Sequence, residues 1–196
     1  MKFAADGDYE AITVDGSTAY VVRSDGRIYE VENYRDANFT VSNYKTFLDQ
    51  NDVEGMCIDK SNNRLLLAVK NKQNEDDNFK GIYAFDLATK KLNETPVYKL
   101  HINDSIFETL QGNGRDDIIR PSEIELNPET KELYILEGHR PKLLILDQNG
   151  KAKEIHLLDP EYFQQPEGLT FDSAGNLYIS NESRRAPANI LQIKLH

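Results

Sequence analysis

A single cysteine, Cys57, leaves the chain without any internal disulfide or any zinc site built on paired cysteines. It sits in the run Met56-Cys57-Ile58 and reads as a small strand residue rather than a nucleophile. No stretch approaches the ~18 consecutive apolar residues that a membrane-spanning helix needs. The 23 lysines and arginines are scattered among 33 acids, giving a net charge of −10. With no basic stripe to neutralise phosphates, a nucleic-acid partner is excluded, and no run of like charge forms a tail. The opening Met1-Lys2-Phe3-Ala4-Ala5-Asp6-Gly7 lacks the apolar core of a signal peptide, so either the protein is cytoplasmic or the chain begins after a removed leader. The sequence also lacks a Gly-x-Ser-x-Gly elbow, a phosphate-cradling loop and a visible nucleophile–base pair. His101, His139, His156 and His196 show no metal-ligand spacing, and His139 reads as an exposed loop histidine beside Glu137.

What the chain does contain is a repeat. Four segments align: Tyr9-Glu10-Ala11-Ile12-Thr13-Val14-Asp15, Val53-Glu54-Gly55-Met56-Cys57-Ile58-Asp59, Pro121-Ser122-Glu123-Ile124-Glu125-Leu126-Asn127, and Pro166-Glu167-Gly168-Leu169-Thr170-Phe171-Asp172. Each is a polar anchor, a mostly small residue, a short alternating strand, and an Asp or Asn entering a tight turn. Second strands follow at 19–22, 65–69, 133–136 and 177–180, and third strands at 27–31, 81–85, 143–146 and 190–193. Fourth strands are expected at 39–47, 97–102 and 152–157.

The anchors Glu10, Glu54, Ser122 and Glu167 are separated by 44, 68 and 45 residues. A period near 44 with four short strands is that of a β-propeller blade. A β-sandwich offers alternating strands but no reason to repeat an anchor. The expectation is one all-β propeller domain over residues 1–196, with blades near 8–47, 52–102, 121–157 and 165–196. The long middle spacing reads as an insertion over 103–120 with one helical turn. Because no strand precedes the first inner strand, an N-terminal portion is expected to be absent, and the parent to be a five- or six-bladed ring.

Strands alternate in direction within a blade. The anchors therefore share one rim with the loops between second and third strands and with the connections between blades. The longer loops, 70–80 and 103–120, fall on that rim, which marks it as the binding face. Asn74-Glu75-Asp76-Asp77-Asn78 lacks the glycine of a calcium loop and reads as a solvated tip. Strand one is innermost, so Glu10, Glu54 and Glu167 surround the channel mouth. Like charges brought together raise one another's pKa unless they share a cation, and a hard cation such as Ca²⁺ takes 6–8 oxygen ligands. Two readings stand. The three acids hold a cation or cationic ligand with Ser122 and Asn181 nearby, or each accepts N–H bonds from the next blade and locks blade to blade. Arg23, Lys70, Asn181 and Glu182 lie on the same rim and would tune a ligand site.

The runs Asp52-Val53-Glu54-Gly55-Met56, Leu65-Leu66-Leu67-Ala68-Val69-Lys70, Pro121-Ser122-Glu123-Ile124 and Gln165-Pro166-Glu167-Gly168-Leu169-Thr170-Phe171-Asp172, with Asn176-Leu177-Tyr178-Ile179-Ser180-Asn181-Glu182, resemble the SdiA-regulated propeller family, which is similar to phytase-like and esterase-like propellers. The resemblance implies an exported protein, periplasmic or extracellular, often lipid-anchored, with a leader and a first blade ahead of this segment. It implies no secure activity. The expected role is a non-enzymatic propeller engaging a small ligand, cation or protein partner at the channel mouth, its oligomeric state unassigned. The alternative is a calcium-dependent phytase-like or lactonase-like hydrolase, although the dense carboxylate cluster of the phytase kind has no match here.

Overall fold

The structure, a computed structural model, describes residues 2–72, 77–108, 110, 118–183 and 187–195. Four antiparallel sheets follow one another along the chain. Blade one is β1 (Tyr9–Asp15), β2 (Thr18–Arg23), β3 (Ile28–Glu32) and β4 (Thr40–Tyr44). Blade two is β5 (Val53–Asp59), β6 (Arg64–Val69) and β7 (Phe79–Asp86), its outer edge shared by β8 (Lys91–Leu92) and β9 (Tyr98–His101), which both pair with β7. Blade three is β10 (Pro121–Leu126), β11 (Leu133–Glu137), β12 (Lys142–Leu146) and β13 (Ala152–Leu157). Blade four is β14 (Pro166–Phe171), β15 (Leu177–Asn181) and β16 (Asn189–Ile193). All three expected fourth strands are present. The expected helical turn is the 3₁₀ turn Ser105–Phe107, and most of the loop after it lies outside the described residues, as does most of the acidic tip at 74–78.

The acid or amide that ends the second, third and fourth repeat motifs explains their tight turns. Asp59 Oδ1 accepts the Asn62 N–H at 3.3 Å, Asn127 Oδ1 accepts from Glu129 and Thr130 at 2.9 and 3.0 Å, and Asp172 Oδ1 accepts from Ala174 and Asn176 at 2.9 and 2.8 Å. These side chains imitate a backbone turn, and one residue in the first turn of every blade takes positive φ: Gly16, Asn63, Lys131 and Gly175.

The inner strands β1, β5, β10 and β14 neighbour one another in that order, and alternation sends successive side chains to opposite blade faces. The residue two after an anchor shares an apolar cluster with the preceding blade: Met56 with Ala11, Val22 and Ile28; Ile124 with Cys57, Leu66 and Ile82; Leu169 with Leu136, Leu143 and Ile145. Three apolar layers between blades are thus the core. Cys57 is fully buried in the middle layer, and burial pushes its thiol well up, which makes it inert packing as expected. No helix among the described residues is long and apolar enough to cross a membrane.

Candidate functional site

Each anchor is the extra residue of a β-bulge. The register between first and second strands slips between Tyr9 and Ala11, Val53 and Gly55, Pro121 and Glu123, and Pro166 and Gly168. A bulge leaves its residue outside the ladder and re-aims its side chain. Here it turns Glu54, Ser122 and Glu167, from three successive blades, onto one cavity of about 270 Å³. Lys70, Arg120, Gly138, His139 and Gln165 complete the lining.

Two acids and two permanent bases face this cavity, and they are partly paired. Lys70 Nζ stands 2.5 Å from Glu54 Oε1 and 3.8 Å from Asp52. Burial raises the Glu54 carboxyl above its ordinary value, outweighing Lys70, and the Asp52 and Glu167 charges add to the rise. Burial would lower Lys70, but the bond to Glu54 and its charge outweigh it and hold the ammonium above its ordinary value. Gln165 Nε2 donates to Glu167 Oε1 at 2.5 Å and to Glu182 Oε2 at 2.7 Å, so Glu182 is tied to the cavity wall through an amide. Ser122 Oγ lies 3.0 Å from Pro166 O and 3.3 Å from Leu136 O, pinning blade three to blade four.

Glu10 lies outside the lining but next to its wall. Burial first, then the Glu54 and Asp8 carboxylates, push its carboxyl to about 7. Arg23 pairs with Asp25 through two hydrogen bonds, one of 2.9 Å from Nε, and does not face the cavity. Asn181 is buried; its amide donates to Asn189 Oδ1 at 2.8 Å and to Tyr162 O at 3.4 Å, and with Glu182 it lines a separate, smaller concavity rather than this one. Among the described residues no group of three or more His, Cys, Asp or Glu side chains is gathered closely enough to hold a metal ion. Glu54 is instead paired with the Lys70 ammonium. A lining of two acids mixed with two bases and an amide does not suit Ca²⁺, which takes oxygen ligands alone.

Beside Ser122, two buried acids fasten the blades around the cavity, one between blades and one within blade three. Glu123 is buried between blades two and three, where its Oε1 accepts the Met56 N–H at 2.8 Å and the Ile124 N–H at 2.9 Å. Glu137, fully buried, takes Lys142 Nζ at 2.6 Å and the Arg120 N–H at 3.0 Å, and so fixes the backbone that carries Arg120 into the cavity. Arg120 and Gln165 stand two residues before their anchors, as Asp8 and Asp52 do. Extending the repeat two positions backward finds all four.

The acids make stability depend on pH. Glu10 and Glu125 both have folded values of about 7, the latter from burial, against an ordinary 4.5. Between those limits the folded chain binds more protons than the unfolded one, so their contribution to stability falls as pH rises through the window and levels off above it. Tm is expected to drop from pH 5 to pH 8, and the slope to flatten in Glu10→Gln and Glu125→Gln. Thermal melts across that range check it; parallel slopes in all three proteins would contradict it.

Four successive four- or three-stranded blades packed through their inner strands, with a polar cavity among three of them, define a β-propeller. The chain belongs to the SdiA-regulated family, whose model matches residues 1–186. A solved structure of a protein of unknown function from Bacteroides caccae is similar at TM-score 0.53 and 11% identity, covering 89% of this chain and 52% of that one. A solved auxiliary nutrient binding protein from Bacteroides thetaiotaomicron is similar at TM-score 0.55 and 15% identity, covering 94% of this chain and 42% of that one. The chain thus spans about half the length of these solved structures. A comparison with curated proteins finds no match.

Proposed function

We propose that the protein is a non-enzymatic binding propeller that holds a small polar molecule in the cavity formed by Glu54, Lys70, Arg120, Ser122, Gln165 and Glu167. The observation that carries the proposal is charge placement: three blades deliver two acids and two bases, with an amide and a hydroxyl between them, to one cavity of about 270 Å³. That volume is near the lower end of small-ligand sites, which suits a molecule of amino-acid or monosaccharide size. Balanced charge favours a zwitterion or a hydroxyl-rich neutral compound over a highly charged ion.

A hydrolase reading finds less support. Among the described residues the hydrogen bonds of Ser122 Oγ go to the Pro166 and Leu136 carbonyl oxygens rather than to a base. The similarity to a nutrient binding protein supplies the fold, and the role is read from the cavity. An exported setting, implied by the family resemblance, suits such a role and belongs to the same proposal.

Thermal shift with single L-amino acids, single monosaccharides and CaCl₂ tests it. At a hundred times Kd a ligand adds about 2.7 kcal/mol of stability. At least one organic member is expected to raise Tm, with the gain lost in Glu54→Gln and in Lys70→Met. Stabilisation by Ca²⁺ alone, abolished by Glu54→Gln, would replace this reading with the cation site. No stabilisation by any compound at millimolar concentration would remove both.

A further inference from the structure

A second concavity lies on the same rim, outward from the polar cavity and sharing only His139 with it. Its position follows from the blade-three ladder. Pro121, Glu137, Lys142 and Leu157 form one row from the channel outward, each paired with the next. Beyond this row the chain turns at 138–141 and leaves the blade at 158–165, and between these turns is a groove of about 510 Å³. Leu110, Ile118, Pro141, Leu157, Leu158 and Pro160 make its walls. Leu157 is 71% exposed at the end of β13, where a strand end facing water is ordinarily polar.

The permanent charges of the groove's described lining share one sign. His139, Arg140 and Lys142 line it, and its described lining contains no carboxylate. Lys142 is held by Glu137 at 2.6 Å, so its charge is met. Arg140 and His139 remain at the polar end. We infer that this groove binds a linear anionic amphiphile, a medium-chain carboxylate or an acyl chain ending in one, with its head on Arg140 and His139 and its tail along Leu157, Leu158 and Ile118.

The reasons are chemical. A guanidinium fork matches a carboxylate and gains from a dry flank. The described lining holds no Phe, Tyr or Trp, and its Leu, Ile and Pro walls suit a flexible chain. At about 510 Å³ the groove has the volume of a small-molecule site.

Isothermal titration of the whole chain with octanoate, decanoate, octanol and octyltrimethylammonium tests the inference. Octanoate and decanoate are expected to bind saturably below micelle formation, decanoate about tenfold tighter for its two extra methylenes. Arg140→Gln is expected to weaken decanoate by about tenfold or more, and Leu157→Glu to abolish it, with melting temperatures unchanged because both side chains reach solvent. Glu54→Gln should leave decanoate binding intact, which separates this groove from the polar cavity. Binding of the trimethylammonium as tight as that of octanoate, indifference of decanoate to Leu157→Glu, or association with anionic phospholipid vesicles in the absence of any decanoate binding would each overturn it.

Discussion

Replacing Glu137 by alanine is expected to destabilise the protein by about 3–5 kcal/mol, read as a lowered urea midpoint at unchanged slope. The Glu137 side chain is 0% exposed and that of its partner Lys142 4% exposed, so the substitution leaves a buried ammonium with no counter-charge. It also removes the acceptor of the Arg120 N–H, 3.0 Å away. Desolvation already lowers the Lys142 pKa even with Glu137 present, so the lone ammonium is poorly tolerated. The paired variant Glu137→Met with Lys142→Met removes both charges at similar volume and is expected to recover most of the loss. If the single and paired variants melt together, the pair does not have the energetic role assigned here.

The second large effect concerns two glycines that the sequence presents as equivalent. Gly55 and Gly168 both follow an anchor glutamate, and neither takes positive φ, so conformational freedom does not explain them. Space does. A Cβ on Gly55 would stand 2.9 Å from Ile124 N and 3.0 Å from the Glu123 carbonyl carbon and Cα, all backbone of the neighbouring inner strand. A Cβ on Gly168 would meet Ser180 Oγ at 2.2 Å, the end of a rotatable side chain within its own blade. Gly55→Ala must therefore push two blades apart, at a cost of about 1–3 kcal/mol and more for Gly55→Val. Gly168→Ala asks only for a rotamer change and is expected to cost well under half as much. Chemical denaturation of both variants decides it, and equal losses would show that spacing between blades is not what the Glu54-Gly55 pair serves.

The same pair shows what the sequence makes legible. Period-two alternation, turn residues and the recurring anchor are enough to place every strand but the two-residue β8, because one physical demand repeats: a sheet buried on its faces and closed by tight turns. Glu54, Lys70, Ser122 and Glu167 were also readable as neighbours, since they hold equivalent or adjacent places on one rim. Arg23 and Asn181 share that rim, yet Asp25 and Asn189 hold them, and a local partner is invisible to a rim argument. Glu123 and Glu137 escaped attention for a related reason. An acid in an alternating strand reads as solvent-facing, and only the packing of neighbouring blades shows that one is fastened to Met56 and the other sealed beneath Arg120. Glu10 shows the limit in the other direction: its place beside Glu54 follows from the repeat, its exclusion from the cavity lining does not.

Convergence of the bulged anchors is most directly read from carboxyl titration by NMR, following Glu10 and Glu54 in the wild type and Glu10 in Glu54→Gln. A Glu10 midpoint near 7 that moves down when the Glu54 charge is removed is expected, because the two carboxylates feel each other across the boundary between blades one and two. A midpoint at the ordinary 4.5, indifferent to Glu54, would show that the bulges aim these side chains at separate places and that no shared mouth exists.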